Sequence, residues 1–304
     1  MNKTLNIPNG SLIIRVGWKK NDDYFPTIGF INKKENSKDE ISWIELQKGM
    51  IFDHSIDTNR KCIGFEPAKG KWQLCPKNNE VPKNSLQCAS CLKKDFYTCR
   101  IYCTGDICNP KTLSAKALCD INETSLYLTY VGGEFKVGVS LDPLKRWIDQ
   151  GSHFSTILWK GHGLEARKHE QNISKLLNLS LAVQTRKKIS DIGNTIDKIK
   201  LIEKLQHFYQ EIQHNYFNNI QSGKDIHIYD LQRYYGDIPS LTTTPILEQQ
   251  RLKGKFIGMQ GKILVFKDRN SYYAFNGKKL LGRLLIKGKN KSSSPIRQRT
   301  LLDF

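Results

Sequence analysis

Hydrophobic residues change their arrangement several times along the chain. Residues 11–60 contain short apolar runs broken by Gly, Asn and Asp, a pattern that predicts a small β unit with hairpins. Residues 61–122 have few apolar stretches and many turn residues, so we expect a cross-link such as a structural metal ion to stabilise this segment in place of a conventional core. Residues 252–286 return to short apolar runs separated by glycines, which predicts a second small sheet or barrel.

The centre of the chain has the clearest local signals. Leu126–Leu128 and Phe135–Val139 have the composition of two strands, and Gly132-Gly133-Glu134 between them predicts a hairpin. Helices are predicted over residues 143–150 and 163–178. A long amphipathic helix follows, because apolar residues recur at a spacing of three or four positions: Ile199, Ile202, Leu205, Phe208, Ile212, Tyr216 and Ile220.

These patterns together predict an α+β protein built from a small α/β core, a cysteine-rich module and flanking small β domains. The predicted segments are an N-terminal β unit (1–60), a cysteine-rich module (61–122), the α/β core (123–195), a helical segment (196–240), a basic β domain (241–288) and a flexible tail (289–304).

Charge adds a candidate partner to this outline. The 304 residues contain 48 Lys and Arg against 29 Asp and Glu, a formal net charge of +19. Residues 251–304 hold 14 Lys and Arg against two acidic residues, and thus +12 of that charge. Such an excess predicts a polyanionic partner, most often nucleic acid. No apolar run approaches the roughly 18 residues that a membrane helix needs, and no secretory signal is visible, so we expect a protein that stays where it is made.

Aromatic residues accompany the basic charge in residues 251–292. Tyr272, Tyr273 and Phe275 fall on a predicted strand, where they suit base stacking beside lysines that contact phosphates. The alternative is a solvated lysine face with these aromatic rings in the core.

The cysteines predict a metal site. All eight lie between residues 62 and 119, and a reducing compartment disfavours disulfides. Cys88 and Cys91 have the two-residue spacing of a zinc knuckle, and Cys62 is the weakest ligand candidate because it lies in a strand-like stretch. Eight thiols suffice for one or two structural Zn²⁺ ions; an iron–sulfur cluster is the competing interpretation. The candidate ligands are Cys62, Cys75, Cys88, Cys91, Cys99, Cys103, Cys108 and Cys119.

A second set of candidate residues lies on the predicted core. Tyr127 is on the first strand, Lys136 and Gly138 are on the second, and Arg146 is on the helix that follows. Glu170 interrupts the apolar stripe of the helix at 163–178. Its carboxylate is either a metal ligand that faces a cleft or a border residue that reaches solvent.

The stretch from Leu126 to Gly151, with the upstream cysteines and Glu170, resembles a family known as domain of unknown function 2797. The order Tyr, Lys-Val-Gly, Arg and Glu is also similar to that of the GIY-YIG endonuclease superfamily, with Lys136 at the position of the second tyrosine and Ser125 at that of the first glycine.

This likeness implies a nuclease site. In that superfamily a tyrosine helps to activate the attacking water, the Arg stabilises phosphate charge, and the Glu binds a divalent metal. Carried over by position, Tyr127 has the tyrosine role, Arg146 binds phosphate, and Glu170 binds Mg²⁺ or Mn²⁺. Gly138 takes the place of the glycine that leaves the site uncrowded.

The chain ends in a motif that predicts a protein partner. Gln298, Leu301, Leu302 and Phe304 resemble the box by which replication and repair proteins bind the sliding clamp, PCNA. One helical turn would bring Leu301 and Phe304 together as a hydrophobic plug, with Gln298 free for a polar pocket. A chance match to a short motif is the alternative.

The sequence therefore predicts a zinc-containing, clamp-tethered endonuclease that hydrolyses DNA phosphodiester bonds in replication or repair. A clamp of this kind implies an archaeal or eukaryotic source, and we expect a cytoplasmic, nucleoid-associated protein of an archaeal cell. The alternative is a non-catalytic zinc adaptor that binds nucleic acid and the clamp through a degenerate nuclease fold.

Overall fold

The structure is a computed structural model that describes residues 3–32, 40–96, 103–108, 110, 112–218, 226–239, 241 and 251–288. The strands are β1 (Ser11–Lys20), β2 (Tyr24–Ile31), β3 (Ser42–Glu45), β4 (Ile51–Ile56), β5 (Thr124–Val131), β6 (Glu134–Ser140), β7 (Phe154–Gly161), β8 (Tyr229–Asp230), β9 (Arg251–Gln260), β10 (Ile263–Asp268), β11 (Ser271–Asn276) and β12 (Leu284–Lys287).

The helices are α1 (Ala89–Lys94), α2 (Leu113–Ile121), α3 (Pro143–Gln150), α4 (Gly163–Leu176), α5 (Thr185–Ser190), α6 (Lys198–Glu211) and α7 (Gln232–Tyr235). A π-helical turn, Ile212–Tyr216, extends α6, and a 3₁₀ turn, Gly277–Leu280, precedes β12. None of the helices in the described part of the chain is long and apolar enough to cross a membrane.

Strands β1 to β4 and β9 to β12 form one large sheet. Its eight strands follow the order β11-β10-β9-β4-β12-β1-β2-β3, and neighbouring strands run antiparallel. β4 pairs with both β9 and β12, and β12 also pairs with β1. The strands predicted as separate units in residues 1–60 and 241–288 therefore share a sheet, because pairing between distant segments buries their apolar faces in a common core.

The rest of the chain lies between β4 and β9 in sequence and contains the small sheet, β6-β5-β7-β8. The hairpin of β5 and β6 turns at Gly132 and Gly133, both with positive φ, as two-residue hairpin turns require. Segment 196–240 adds α6 and the short strand β8 to this unit, so it is joined to the α/β core.

Helix α3 lies between the two sheets. It begins with Pro143 after the N-cap Asp142, whose Oδ1 accepts a hydrogen bond from the Lys145 N–H at 3.1 Å. It ends at Gly151, which has a left-handed conformation (φ 82°). Trp147 and Ile148 are buried in the core of the large sheet, whereas α4 and α6 cover the opposite face of the small sheet. This arrangement places α3 at the junction of both sheets.

The aromatic residues of the basic segment are mostly core residues. Tyr273 and Phe275 are buried, and Tyr273 stacks on Phe266 with 5.3 Å between ring centroids. Only Tyr272 of the three is half-exposed, with the Lys267 ammonium over its ring. The expectation that all three rings stack on bases is therefore wrong for Tyr273 and Phe275, since alternate residues of β11 face the core.

Candidate functional site

Four cysteines form a cluster that could hold a metal ion. The Sγ atoms of Cys62, Cys75, Cys88 and Cys91 all lie within 4.8 Å of one another. Cys62, Cys75 and Cys91 are buried, and Cys88 is half-buried. Four thiols at these separations are the donor set of a tetrahedral, closed site for a thiophilic metal.

Two short pieces of chain present the four thiols. Cys62 and Cys75 lie on the two arms of an irregular hairpin in which Phe65 pairs with Gln73. Gly64 lies on the first arm with a φ of 81°, and a Cβ at that position would lie 2.1 Å from the Gln73 carbonyl oxygen, so glycine lets the two arms approach closely. The other two thiols come from the N-terminus of α1, where Cys88 is the N-cap and Cys91 lies in the first turn.

The protein environment prepares one thiol of the cluster for deprotonation. Burial acts to raise the pKa of Cys88, but hydrogen bonds from the Cys91 N–H and from the side chains of Cys91, Asn79 and Cys62 lower it to about 6. Burial raises the pKa of Cys62 and Cys91. The backbone N–H of Cys88 donates to the Cys62 Sγ at 3.3 Å, the type of bond that orients a thiolate ligand.

Cys62 is part of the cluster, so its ranking as the weakest candidate is wrong. The hairpin brings its strand-like segment beside α1, and the glycine two residues after the cysteine is the sequence signal for a close approach of the two arms. Cys103, Cys108 and Cys119 are not in the four-thiol cluster, and the described residues contain no second group of this kind. Cys99 lies outside the described residues.

Tyr127 and Gly138 face each other across the β5–β6 hairpin. Tyr127 is buried, with its ring 5.7 Å from that of Trp147 in an edge-to-face contact. The β5–β7 register shifts between Leu126 and Tyr127, a bulge of the kind that redirects a side chain beside a functional site. Burial raises the pKa of the Tyr127 hydroxyl, while side-chain interactions with Arg146 lower it, so the phenol stays protonated at neutral pH.

Lys136 is a buried lysine on the same strand as Gly138. Its Nζ donates a hydrogen bond to the Leu181 carbonyl oxygen at 2.9 Å. Burial and the positive charge of Arg146 lower the pKa of Lys136 to about 8, although the Glu170 carboxylate opposes this shift. Part of the Lys136 population is thus an uncharged amine near neutral pH.

Arg146 and Glu170 complete the group. Arg146 lies on the exposed face of α3, three residues after Pro143. Glu170 lies on α4, only 5% exposed, and its Oε2 accepts a hydrogen bond from Arg167 Nη1 at 2.8 Å. The interpretation of Glu170 as a border residue that reaches solvent is therefore wrong. The charge of Glu170 acts on both Tyr127 and Lys136, which puts these side chains in one electrostatic environment.

Glu170 could bind a metal ion only together with ligands that the described part of the chain does not supply. Among the described residues, no cluster of three or more acidic, His or Cys side chains includes Glu170. A Mg²⁺ or Mn²⁺ ion at this carboxylate would therefore need phosphate oxygens and water as its other ligands. Cations dominate the surroundings, which favours a bound phosphate over an isolated metal ion.

Comparison with known proteins gives one match. The family described as "Protein of unknown function (DUF2797)" matches residues 53–283, about three quarters of the chain. The chain belongs to the DUF2797 family. No curated protein and no solved structure matches it.

The DUF2797 match includes both candidate sites. It extends from β4 to the residue before β12 and so contains the four-cysteine cluster and the positions of Tyr127, Arg146 and Glu170. Strands β1 to β3 lie before the match. The tail residues Gln298, Leu301, Leu302 and Phe304 lie after the match and outside the described residues.

Two further lysines of this DUF2797 protein, Lys188 and Lys262, were not predicted as functional residues from the sequence. Burial lowers the pKa of Lys188 to about 7 and that of Lys262 to about 8, and nearby cations add to both shifts. Lys188 is on α5 and Lys262 follows β9, so 74 positions separate them in sequence. No local pattern links such residues; only the packing of the two sheets brings them together.

Proposed function

We propose that this protein is a divalent-metal-dependent endonuclease that hydrolyses DNA phosphodiester bonds. The observation that carries the proposal is the convergence of Tyr127, Lys136, Arg146 and Glu170 from β5, β6, α3 and α4 into one electrostatic environment. A reacting phosphate needs cations for its charge and a group that accepts a proton from water. This set supplies both.

Each residue has a role in this proposal. Arg146, exposed on α3, binds the phosphate. Lys136, with a pKa of about 8, accepts the proton of the attacking water in its neutral form. Tyr127 remains protonated and orients that water by hydrogen bonding. Glu170 would hold Mg²⁺ or Mn²⁺, an ion that supplies positive charge for the leaving oxygen. Gly138 leaves space for the Tyr127 ring.

The cysteine cluster has a structural role in the same proposal. We propose Zn²⁺ as its ion, because four thiols in a closed, mostly buried arrangement suit a structural zinc site. The ion would reinforce the small apolar cluster in which Phe65 and Val81 pack beside the cysteines. A second Zn²⁺ held by the remaining cysteines stays a prediction.

The sliding clamp is the proposed protein partner. The Gln298, Leu301 and Phe304 spacing, at the end of a basic linker, suits a tether that holds the enzyme near DNA. Tethering raises the local concentration of enzyme, which makes a slow intrinsic nuclease effective. A chain of this function acts at replication or repair sites on the nucleoid.

Cleavage of single-stranded, flapped and branched DNA in Mg²⁺ or Mn²⁺ tests the proposal. We expect metal-dependent cleavage of at least one substrate, with strong losses in Glu170→Ala and Arg146→Ala. Failure to cleave any of them, or cleavage that Glu170→Ala leaves unchanged, would contradict the enzyme proposal.

The second candidate is a non-catalytic zinc adaptor that binds nucleic acid and the clamp. Two contacts favour it: Glu170 is already ion-paired with Arg167, and the Nζ of Lys136 is bonded to the Leu181 carbonyl. An adaptor would bind DNA with unchanged affinity in Glu170→Ala and would cleave none of the substrates.

A further inference from the structure

Several cationic side chains meet at the C-terminal end of α3, one helical turn beyond Arg146. Lys188 on α5 donates from Nζ to the Gln150 carbonyl oxygen at 2.9 Å. Its stem also lies against the β5–β6 turn, where a Cβ at Gly132 would be 3.1 Å from Lys188 Cγ. The small sheet thus fixes the position of this lysine.

The large sheet brings Lys262 and Lys278 to the same corner. The turn between β9 and β10 packs on the end of α3: a Cβ at Gly261 would lie 2.8 Å from the Gln150 carbonyl carbon. Gln260 Nε2 also donates to the Gly151 carbonyl oxygen at 3.1 Å. The 3₁₀ turn of Lys278 is bonded to this turn, since the Gly277 N–H donates to the Lys262 carbonyl oxygen at 2.8 Å.

Within the described part of the chain, these charges have no carboxylate partner in an ion pair. Among the described residues no ion pair involves Lys188, Lys262 or Lys278. Asp149 is the acidic residue beside Lys262, but its carboxylate is already engaged by the Lys145 ammonium and, at 3.3 Å, by the Trp18 N–H. Lys188 and Lys262 are half-buried, and half-buried cations without a carboxylate partner are costly; a bound polyanion is the simplest compensation for that cost.

We propose that Lys188, Lys262 and Lys278 form a phosphate-binding subsite for a second backbone phosphate of the strand whose neighbouring phosphate contacts Arg146. The proposal rests on the proposed function for the identity of the strand, and it deepens that function by assigning substrate contacts at the junction of the sheets. Lys262 and Lys278 of the basic C-terminal segment then belong to the same binding surface as Arg146, which their positions in sequence do not suggest.

Mutual repulsion among these cations is further evidence that they lie close together. Besides burial, the charges of Lys136, Lys278, Arg146 and Lys262 lower the pKa of Lys188. Burial is the largest cause of the lowered pKa of Lys262, and the charges of Lys278, Lys145 and Arg15 act in the same direction, against the attraction of Asp149. A phosphate at the centre of the group would relieve both effects.

Equilibrium binding tests the subsite without reference to catalysis. Fluorescence anisotropy of a labelled single-stranded oligonucleotide and of its duplex would be measured on the full chain, without added Mg²⁺ or Mn²⁺. We expect Lys262→Gln and Lys278→Gln each to weaken binding roughly five- to tenfold and to reduce the salt slope by about one. Lys278 is exposed, so its variant carries little risk of misfolding.

Matched controls come from the same basic segment. Lys253 and Lys255 are exposed residues of β9, and Lys253→Gln and Lys255→Gln cause the same change in net charge. They should leave affinity within about twofold. Equal losses in the control and subsite variants would overturn the proposal, as would unchanged binding in the subsite variants.

Inorganic phosphate separates the two sources of the ligand. Lysine-dependent binding of free phosphate, with strand affinity unchanged in Lys262→Gln and Lys278→Gln, would overturn the assignment to a strand. Lysine-dependent strand binding in a protein that cleaves no DNA would support the subsite while contradicting the nuclease. DNA cleavage combined with unchanged strand binding in these variants would support the nuclease while contradicting the subsite.

Discussion

The hydroxyl of Tyr127 lies over the α-carbon of Gly138, so that a Cβ added at residue 138 would be 2.5 Å from the Tyr127 Oη. No side chain fits in that gap without movement of the buried ring. Gly138→Ala should therefore destabilise the fold by about 2 kcal/mol, the usual cost of overpacking a core. It should also displace the phenol and suppress cleavage. Thermal denaturation and the cleavage assay measure the two effects.

Ser140→Ala is the matched control on the same strand. It removes a half-buried hydroxyl that donates to the Asp142 carbonyl oxygen and accepts from the Asp142 N–H. Its effect on stability should stay within about 1 kcal/mol. Equal melting temperatures of Gly138→Ala and the unmodified protein would show that the Tyr127 ring does not fill this space.

The cysteine cluster makes a prediction about metal content. Cys62→Ser should lose one bound ion per chain and lower the melting temperature, because metal binding free energy contributes directly to folding in such modules. Metal analysis and thermal denaturation measure the outcome, and zinc is the ion expected. Cys108 is exposed and outside the cluster, so Cys108→Ser should keep that ion. A brown, absorbing preparation would indicate an iron–sulfur cluster in its place.

Lys188 links stability to pH. The pKa of Lys188 is about 7 in the folded protein against an ordinary value of 10.5, because burial and neighbouring cations disfavour its charged form. Between these two values the unfolded chain binds more protons, so this residue makes stability rise with pH across that window. Below pH 7 the lysine is charged in both the folded and the unfolded state, and its unfavourable contribution to the free energy of folding reaches its full value.

Lys188→Gln should therefore stabilise the protein by about 1 kcal/mol at pH 6, and the gain should disappear towards pH 10. Denaturant unfolding across that range measures it. Lys187→Gln is the control, since Lys187 is exposed and ion-paired with Glu134. A gain that persists at pH 10, or an equal gain in the control, would contradict the assignment of an unpaired cation.

The tail makes a separate prediction about the clamp. Deletion of residues 297–304 should abolish pull-down of the sliding clamp, and Leu301→Ala with Phe304→Ala should do the same. Because the apolar residues are expected to form the plug, Arg297→Ala with Arg299→Ala should retain binding. Undiminished pull-down after the deletion would exclude this segment as the tether.

Local signals predicted much of the small α/β unit. The Gly132-Gly133 turn fixes the hairpin, and Asp142, Pro143 and Gly151 set the ends of α3. The apolar spacing of the long helix also predicts α6, although the structure ends its regular part at Glu211 and continues with a π turn. Such features depend on residues that are close in sequence, so they can be predicted without knowledge of the tertiary structure.

Long-range features were not predictable in the same way. The pairing of β4 with β9 and β12 joins residues about 200 positions apart, and no periodicity specifies a partner strand. The meeting of Lys188 with Lys262 follows from that same packing. Cys62 was ranked low for a related reason, since its place in the cluster depends on the distant α1.

Cleavage rates of two glutamate variants on the same helix test whether Glu170 takes part in DNA hydrolysis. Glu170 is buried beside Arg167, whereas Glu165 is exposed one turn earlier on α4. With Mg²⁺ or Mn²⁺ present, we predict that Glu170→Gln lowers the rate of DNA cleavage roughly 100-fold or more, while Glu165→Gln leaves it unchanged. Equal rates for the two variants, or no cleavage by the unmodified protein on any substrate, would contradict this prediction.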